Sequence, residues 1–254
     1  MKITIRKSQV EQRRDSDTEL DVLSIAAHPD DTELTCGGTV IKMVQAGYRV
    51  GALDLTAGES GTRGSARQRA RESRAAAKEL GLIYRESLGL PDAAIEDRRE
   101  YKLEIARKIR ELRPRTVILP YWHGRHPDHY LTARLGYEAC FLAGLAKLHL
   151  KGKPHRPHKI IYASEYVPAV RPTFVVDITA QFEKKLKAIL CYSSQFSPAE
   201  DVQNLFPSRT DLRERMASLA RHFGLMIGAR YGEPFVTREV SAVADIVNLP
   251  VRSI

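Results

Sequence analysis

Residues 22 to 31 read Val22-Leu23-Ser24-Ile25-Ala26-Ala27-His28-Pro29-Asp30-Asp31. The apolar run at the front predicts a strand buried on both faces, over Leu20 to Ala26. The polar group behind it falls where that strand ends. Further along, Val117-Ile118-Leu119-Pro120 is a second such run, followed by His126-Pro127-Asp128-His129. Two strand ends each deliver imidazoles and carboxylates together, a combination that suits a metal with an acid or base beside it.

Working outward, Leu34 to Ala46 predicts a helix stopped by Gly47, and Arg49 to Leu55 a strand. Ala66 to Leu80 predicts a helix ended by Gly81, and Glu86 to Leu88 a short strand. Asp97 is placed to cap a helix from Arg98 to about Arg113, which Pro114 terminates. Thr116 to Pro120 then predicts a strand and Tyr130 to Leu148 a helix. Lys159 to Ser164 and Thr173 to Ile178 are strand-like, and Phe182 to Tyr192 and Asp211 to Ile227 helical. Strands alternating with helices imply an α/β, Rossmann-like three-layer fold: a mostly parallel sheet with helices on both faces. Ligands of such sheets sit beyond the carboxyl ends of the strands, where both histidine clusters lie. Residues 1–19 read as a flexible or extra N-terminal segment, and 20–254 as a single domain. No internal repeat or low-complexity linker interrupts it.

The chain has 254 residues with 43% hydrophobic content, enough for a sizeable core. No apolar stretch reaches membrane-spanning length, and no apolar region follows the first basic residues, so neither a membrane span nor a secretory signal is expected. The three cysteines, Cys36, Cys140 and Cys191, form no framework and fit a reducing cytoplasm. The net charge of +9 raises the question of nucleic acid. The basic residues are interspersed with acidic ones and no stacking aromatics alternate with them, so an anionic small-molecule substrate is the expected partner. Gly37 and Gly38 are not a phosphate cradle, because neither a Gly-x-Gly-x-x-Gly run nor a Walker lysine is present.

Asp30 and Asp31 are adjacent and cannot point the same way, so one can bind a metal while the other faces a substrate water. His28 can reach the same ion as Asp31. His126 and His129 are three apart, on one side of a helical turn near its start. His28, Asp31 and one histidine of the second cluster would leave a coordination position open, as in catalytic zinc sites. Asp30 is then the natural general base, and the other histidine stabilises the oxygen and the leaving amine. Zn2+ suits these ligands, and Fe2+, nickel or manganese could use the same set.

Ala27-His28-Pro29-Asp30-Asp31-Thr32-Glu33, Gly37-Gly38 and His126-Pro127-Asp128-His129 together resemble the signature of the LmbE-like or PIG-L family of metal-dependent N-deacetylases, which act on N-acetylglucosaminyl compounds. The likeness extends over residues 20 to 236. It takes in Asp54 to Gly64, Leu88-Gly89-Leu90-Pro91-Asp92 and Tyr231-Gly232-Glu233-Pro234-Phe235, and within the family is strongest to the bacillithiol-biosynthesis deacetylases of N-acetylglucosaminyl malate. The resemblance implies His28, Asp31 and His129 as metal ligands, Asp30 as general base and His126 as oxyanion stabiliser. It implies Asp128 as a residue orienting a histidine, with a helix cap as the other reading. Arg69 and Arg125 match positions that hold substrate carboxylates, a task suited to a guanidinium fork. Surface solvation is the alternative for Arg69.

Within the same resemblance, His123 is the less well placed histidine for a ligand, and Trp122 packs the loop or lines the sugar pocket. Glu233 closes the site or pairs with the arginines, and Gly58 to Gly64 is a candidate mobile loop. The leading expectation is therefore a zinc-dependent deacetylase of N-acetylglucosaminyl malate, cytoplasmic and homo-oligomeric. The alternatives are a deacetylase or amidase of another N-acetylated sugar or thiol conjugate, and a non-catalytic anion-binding protein with the same fold.

Overall fold

The computed structural model describes residues 19–164, 170–196, 209–247, 249 and 251. The expected N-terminal segment 1–19 thus lies outside the described residues, apart from Glu19. The elements are β1 (Val22–Ala26), α1 (Asp31–Gln45), β2 (Val50–Thr56), α2 (Ala66–Leu80), β3 (Tyr84–Leu90), α3 (Arg99–Leu112), β4 (Thr116–Pro120), α4 (Pro127–Ala143), β5 (Lys159–Ala163), β6 (Phe174–Asp177), α5 (Phe182–Ile189), α6 (Ser193–Phe196), α7 (Arg209–Leu225) and β7 (Gly232–Val236). They build a seven-stranded sheet in the order β3-β2-β1-β4-β5-β7-β6. The first five strands are mutually parallel, and β7 runs antiparallel to both neighbours.

The period-two alternation of the strands divides their side chains between two layers. Leu23 and Ile25 of β1, with Val117 and Leu119 of β4, pack among the α3 and α4 residues Ile105, Ile109, Leu135 and Ala139. Val22 and Ile118 point the other way, toward Cys36, Val40 and Ile41 of α1. On that second side α1, α2 and α5 pack together. No described helix is long and apolar enough to cross a membrane.

Several boundaries differ from expectation for identifiable reasons. Helix α1 begins at Asp31, three residues before Leu34, because Asp31 and Glu33 form an acidic first turn that complements the helix N-terminus. The helix breaks at Cys36, and the amides of Gly38 and Thr39 are taken by the Glu233 carboxylate (2.8 and 2.6 Å). Asp97 is not the cap of α3. Arg98 holds that position without a side-chain bond, and Asp97 pairs with Lys102 and Arg134. Helix α4 starts at Pro127 and stops at Ala143, where Arg110 collects the carbonyls of Ala143, Leu145 and Leu150 and holds the following chain out of the helix. Strand β7 was not anticipated, since Pro234 reads against a strand interior.

Candidate metal centre

The chain winds from β1 outward to β2 and β3, then crosses back to place β4 on the other side of β1. That reversal opens a crevice at the carboxyl ends of β1 and β4. The turn after β1 carries His28 to Asp31, and the N-terminus of α4 carries His126 to His129. His28 Nδ1 and His129 Nε2 lie 3.3 Å apart. One oxygen of Asp31 is 3.3 Å from His28 Nδ1 and the other 3.2 Å from His129 Nε2. Ligands at about 2.0–2.1 Å from a tetrahedral zinc ion stand about 3.3 Å from one another, so this donor set fits such an ion. A second group, His28, His126 and Asp128, also converges on the same crevice.

Charge bookkeeping points the same way. Six carboxylates (Asp30, Asp31, Glu33, Asp54, Asp92 and Asp128) crowd the turn, opposed by two guanidiniums, Arg69 and Arg85. Such an excess of buried negative charge is stable only with protons or a cation among the carboxylates. Burial disfavours charge on His28, but Asp31 and Asp92 outweigh it and raise its pKa to about 11. Burial likewise opposes the proton on His129, and Asp31 wins and raises it. Burial resists charge on Asp31 too, yet His129 and His28 hold it well below the usual carboxylate range. The field that retains protons on these imidazoles is the field that favours a dication in their place.

The two neighbouring aspartates diverge. Asp31 faces the imidazoles, and its carboxylate also accepts the His28 amide at 2.9 Å. Asp30 turns to Arg69, whose Nη2 is 3.1 Å from Oδ1. Burial raises the Asp30 pKa, and Arg69 only partly offsets that. Arg69 is itself buried, and its Nη1 donates to the Gly58 carbonyl at 3.2 Å, which disposes of surface solvation as its role. A Cβ on Gly58, at φ +68°, would run into that guanidinium. Arg125 is exposed on the loop before α4 and has no hydrogen bond or ion pair among the described residues.

His126, not Asp128, caps α4: its Nδ1 accepts the Asp128 amide at 3.2 Å. The buried Asp128 carboxylate instead lies 3.4 Å from His28 Nε2 and accepts the Ala93 amide at 2.9 Å. Burial and the charges of His129 and His28 lower the His126 pKa. Trp122 packs edge-on against Tyr162, and the exposed His123 neighbours Tyr121 and Trp122 rather than the ligand cluster. Glu233 neither closes the site nor meets its arginines. It pairs with Lys185 at 2.8 Å in the interior, both fully buried. The Gly58 to Gly64 segment is tied at several points, with Ser60 donating to Asp92 and Gln195 to the Arg63 carbonyl.

Two features escaped the sequence reading. Asp92, after β3, lies 3.1 Å from His28 Nε2, and His28 with the Ser60 amide keeps its pKa low against the effect of burial. Beneath the turn, Arg85 pairs with Asp54 and Glu33 and donates to the Pro29 carbonyl, which also accepts from Tyr192. Burial pushes Glu33 up to about 7 despite Arg85. The available signal was Asp54, a charge inside the otherwise apolar Val50–Thr56.

Residues 23–140 match the family model described as PIG-L: GlcNAc-PI de-N-acetylase. The diacetylchitobiose deacetylase of Thermococcus kodakarensis is 34% identical over 226 residues, covering 84% of this chain and 80% of that protein. The chain belongs to the PIG-L family. The conserved protein TT1542 of Thermus thermophilus superimposes with a TM-score of 0.80 at 38% identity, over 89% of this chain and 98% of that one. A probable N-acetyl-α-D-glucosaminyl L-malate deacetylase 2 of Bacillus anthracis is 28% identical over 193 residues, covering 70% of this chain and 83% of that protein. With its His–Asp cluster, this PIG-L chain is a metal-dependent N-deacetylase. The malate enzyme is not favoured over the chitobiose enzyme among its relatives.

Proposed function

We propose that this PIG-L protein hydrolyses the N-acetyl group of an N-acetylglucosaminyl glycoside. The carrying observation is the His28–Asp31–His129 donor set with Asp30 held beside it by Arg69. In this reading His28, Asp31 and His129 hold Zn2+, with Fe2+ as the alternative ion. When bound, the ion would supply Lewis-acid polarisation of the scissile amide. Asp30 takes the proton of the attacking water, and its raised pKa suits a base that must later give that proton up. Arg69 fixes the direction of the Asp30 carboxylate. Because Nδ1 of His126 accepts the Asp128 amide, its neutral ring carries the proton on Nε2. That N–H hydrogen-bonds the developing oxyanion, and the proton taken up by Asp30 passes to the departing amine as the C–N bond breaks. Asp128 and Asp92 orient His28 from its Nε2 side.

The aglycone is proposed to be another sugar or a neutral group. The 34% identity to a diacetylchitobiose deacetylase supports that choice, and the Arg69 guanidinium is engaged by Asp30 and Gly58. The second reading is the malate glycoside of bacillithiol biosynthesis, favoured by the Bacillus anthracis relative and by the exposed Arg125. We also take residues 20–254 as one domain, acting in the cytoplasm on the strength of its unpaired cysteines. The test is a primary-amine release assay on zinc-loaded protein with N,N'-diacetylchitobiose, N-acetylglucosamine and N-acetylglucosaminyl malate side by side. Turnover of chitobiose above the malate glycoside is expected. A preference for malate establishes the second reading, and no amine from any of the three contradicts both.

A further inference from the structure

The turn that joins β1 to α1 contains one carbonyl that, among the described residues, no main-chain donor holds. His28 O accepts the Asp31 amide at 3.3 Å, and Asp30 O accepts the Leu34 amide at 3.1 Å. Between them, the Pro29 carbonyl accepts from two side chains, Arg85 Nη2 and the Tyr192 hydroxyl. The pyrrolidine ring fixes φ of Pro29, so ψ is the one soft dihedral this residue contributes. Its carbonyl shares a plane with the Asp30 amide, and the direction of that plane sets how the chain enters Asp30.

Both donors are anchored from elsewhere in the fold. Arg85 stands on β3, with Nε and Nη2 on the two oxygens of Asp54 from β2 at 2.9 and 3.1 Å, and Nη1 on Glu33 of α1. A planar guanidinium tied at all three nitrogens has little freedom to swing. Tyr192 lies between α5 and α6, and its ring belongs to the apolar cluster of Phe182, Ile189 and Phe196. Its hydroxyl is also 3.3 Å from Glu33 Oε1. The Arg85 side chain is 6% exposed and Tyr192 0%. Neither has surface to offer a substrate, and neither belongs to the ligand cluster.

The two aspartates depend on this carbonyl unequally. Asp31 has supports of its own: its amide donates to His28 O, its carboxylate accepts the His28 amide, and it opens α1. Asp30 holds the N-cap position without a capping bond, and its carboxylate meets Arg69 alone among the described residues. We infer that Arg85 and Tyr192 are positioning residues for the reaction: they clamp the Pro29 carbonyl and thereby aim Asp30 at the attacking water. The inference rests on the reading of Asp30 as the base. Displacing a reacting group by about 1 Å is enough to cost roughly 100-fold in rate. Tyr192→Phe deletes one oxygen and leaves the apolar ring in place. Replacing Arg85 would instead strand Asp54 and Glu33 without their cation and endanger the fold.

The test is a double-mutant cycle of Tyr192→Phe and Asp30→Asn. It is read as kcat and KM on zinc-loaded protein with N,N'-diacetylchitobiose, alongside metal content and a urea titration for each variant. Tyr162→Phe is the matched control, since that hydroxyl is buried and without a partner among the described residues. Tyr192→Phe alone is expected to lower kcat at least roughly tenfold, with KM and metal content near wild type. In the Asp30→Asn background the same substitution should change kcat little, because the group it aims is gone. A loss by the same factor in both backgrounds marks a purely structural role and overturns the proposal, as does an unchanged kcat in Tyr192→Phe. An Asp30→Asn enzyme that keeps wild-type kcat overturns the base reading itself, and the proposal with it. A crystal structure of Tyr192→Phe gives an answer without turnover: the Asp30 carboxylate should be displaced from Arg69 while Asp31 stays in place. An Asp30 carboxylate unmoved from Arg69 overturns the proposal whichever glycoside the enzyme accepts.

Discussion

Two buried clusters of charge lie along α1, one at its first turn and one at its break. At the break, Glu233 meets the Lys185 ammonium and accepts from the Gly38 and Thr39 amides and the Thr39 hydroxyl. One anion meets one cation, and its remaining acceptor capacity is filled by donors from α1. At the first turn, six carboxylates meet two guanidiniums, and the surrounding carboxylates raise the pKa values of His28 and His129. A balanced cluster holds the fold together, whereas an unbalanced one is built to receive a cation. That difference separates the functional cluster from the structural one where burial does not, since Glu33 and Glu233 are equally inaccessible.

The largest effects follow from removing ligands at the unbalanced cluster. His129→Ala and His28→Ala should lower metal affinity by about 100-fold or more and abolish turnover, while the fold persists. Metal analysis after gel filtration measures this, and full occupancy in both variants would break the comparison. At the balanced cluster the outcome is reversed. Glu233→Ala strands the Lys185 ammonium in the interior and should cost about 3–5 kcal/mol in a urea titration. The fraction that remains folded should still bind about one divalent ion per chain.

pH sharpens the contrast. The folded pKa of His28 is raised from 6.5 to about 11. Its contribution to the stability of chelator-treated protein is therefore fully present below pH 6.5 and is lost as pH rises through about 11. A bound ion displaces that proton, so the metal-loaded protein should not show the same alkaline decline. Metal affinity itself should fall as pH is lowered, because protons compete for the two imidazoles. Paired thermal melts with and without chelator check the first statement, and parallel alkaline declines would contradict it. The smallest effect belongs to Arg125→Ala. On the neutral-aglycone reading kcat/KM changes little for either glycoside, and a loss confined to the malate substrate would favour the second reading.

Much of this was legible in the sequence because the signals were local. The apolar runs ending at Ala26 and Pro120 locate adjacent parallel strands, and the ligand types behind them locate the crevice. Ala66–Leu80, with Gly81 in the left-handed conformation, needed only helix periodicity and its stop. What failed depended on distant partners. Asp92 acquires its contact with His28 through the sheet order, which places the ends of β3 and β1 around one turn. Pro234 is tolerated in β7 although its neighbours pair on both sides. Arg69 reads as one of several surface arginines of α2 until Asp30 and Gly58 are seen against it. Glu233 sits in a stretch marked by family likeness, but only the break in α1 shows what it binds.

The central claim is that two adjacent aspartates have separate fates, Asp31 toward the ion and Asp30 toward the water. Metal stoichiometry and kcat measured together on Asp30→Asn and Asp31→Asn test it most directly. Asp30→Asn should retain about one divalent ion per chain while kcat falls by roughly 100-fold or more, and Asp31→Asn should lose the ion along with turnover. An Asp30→Asn protein that loses its ion, or an Asp31→Asn protein that keeps both ion and turnover, would contradict the account.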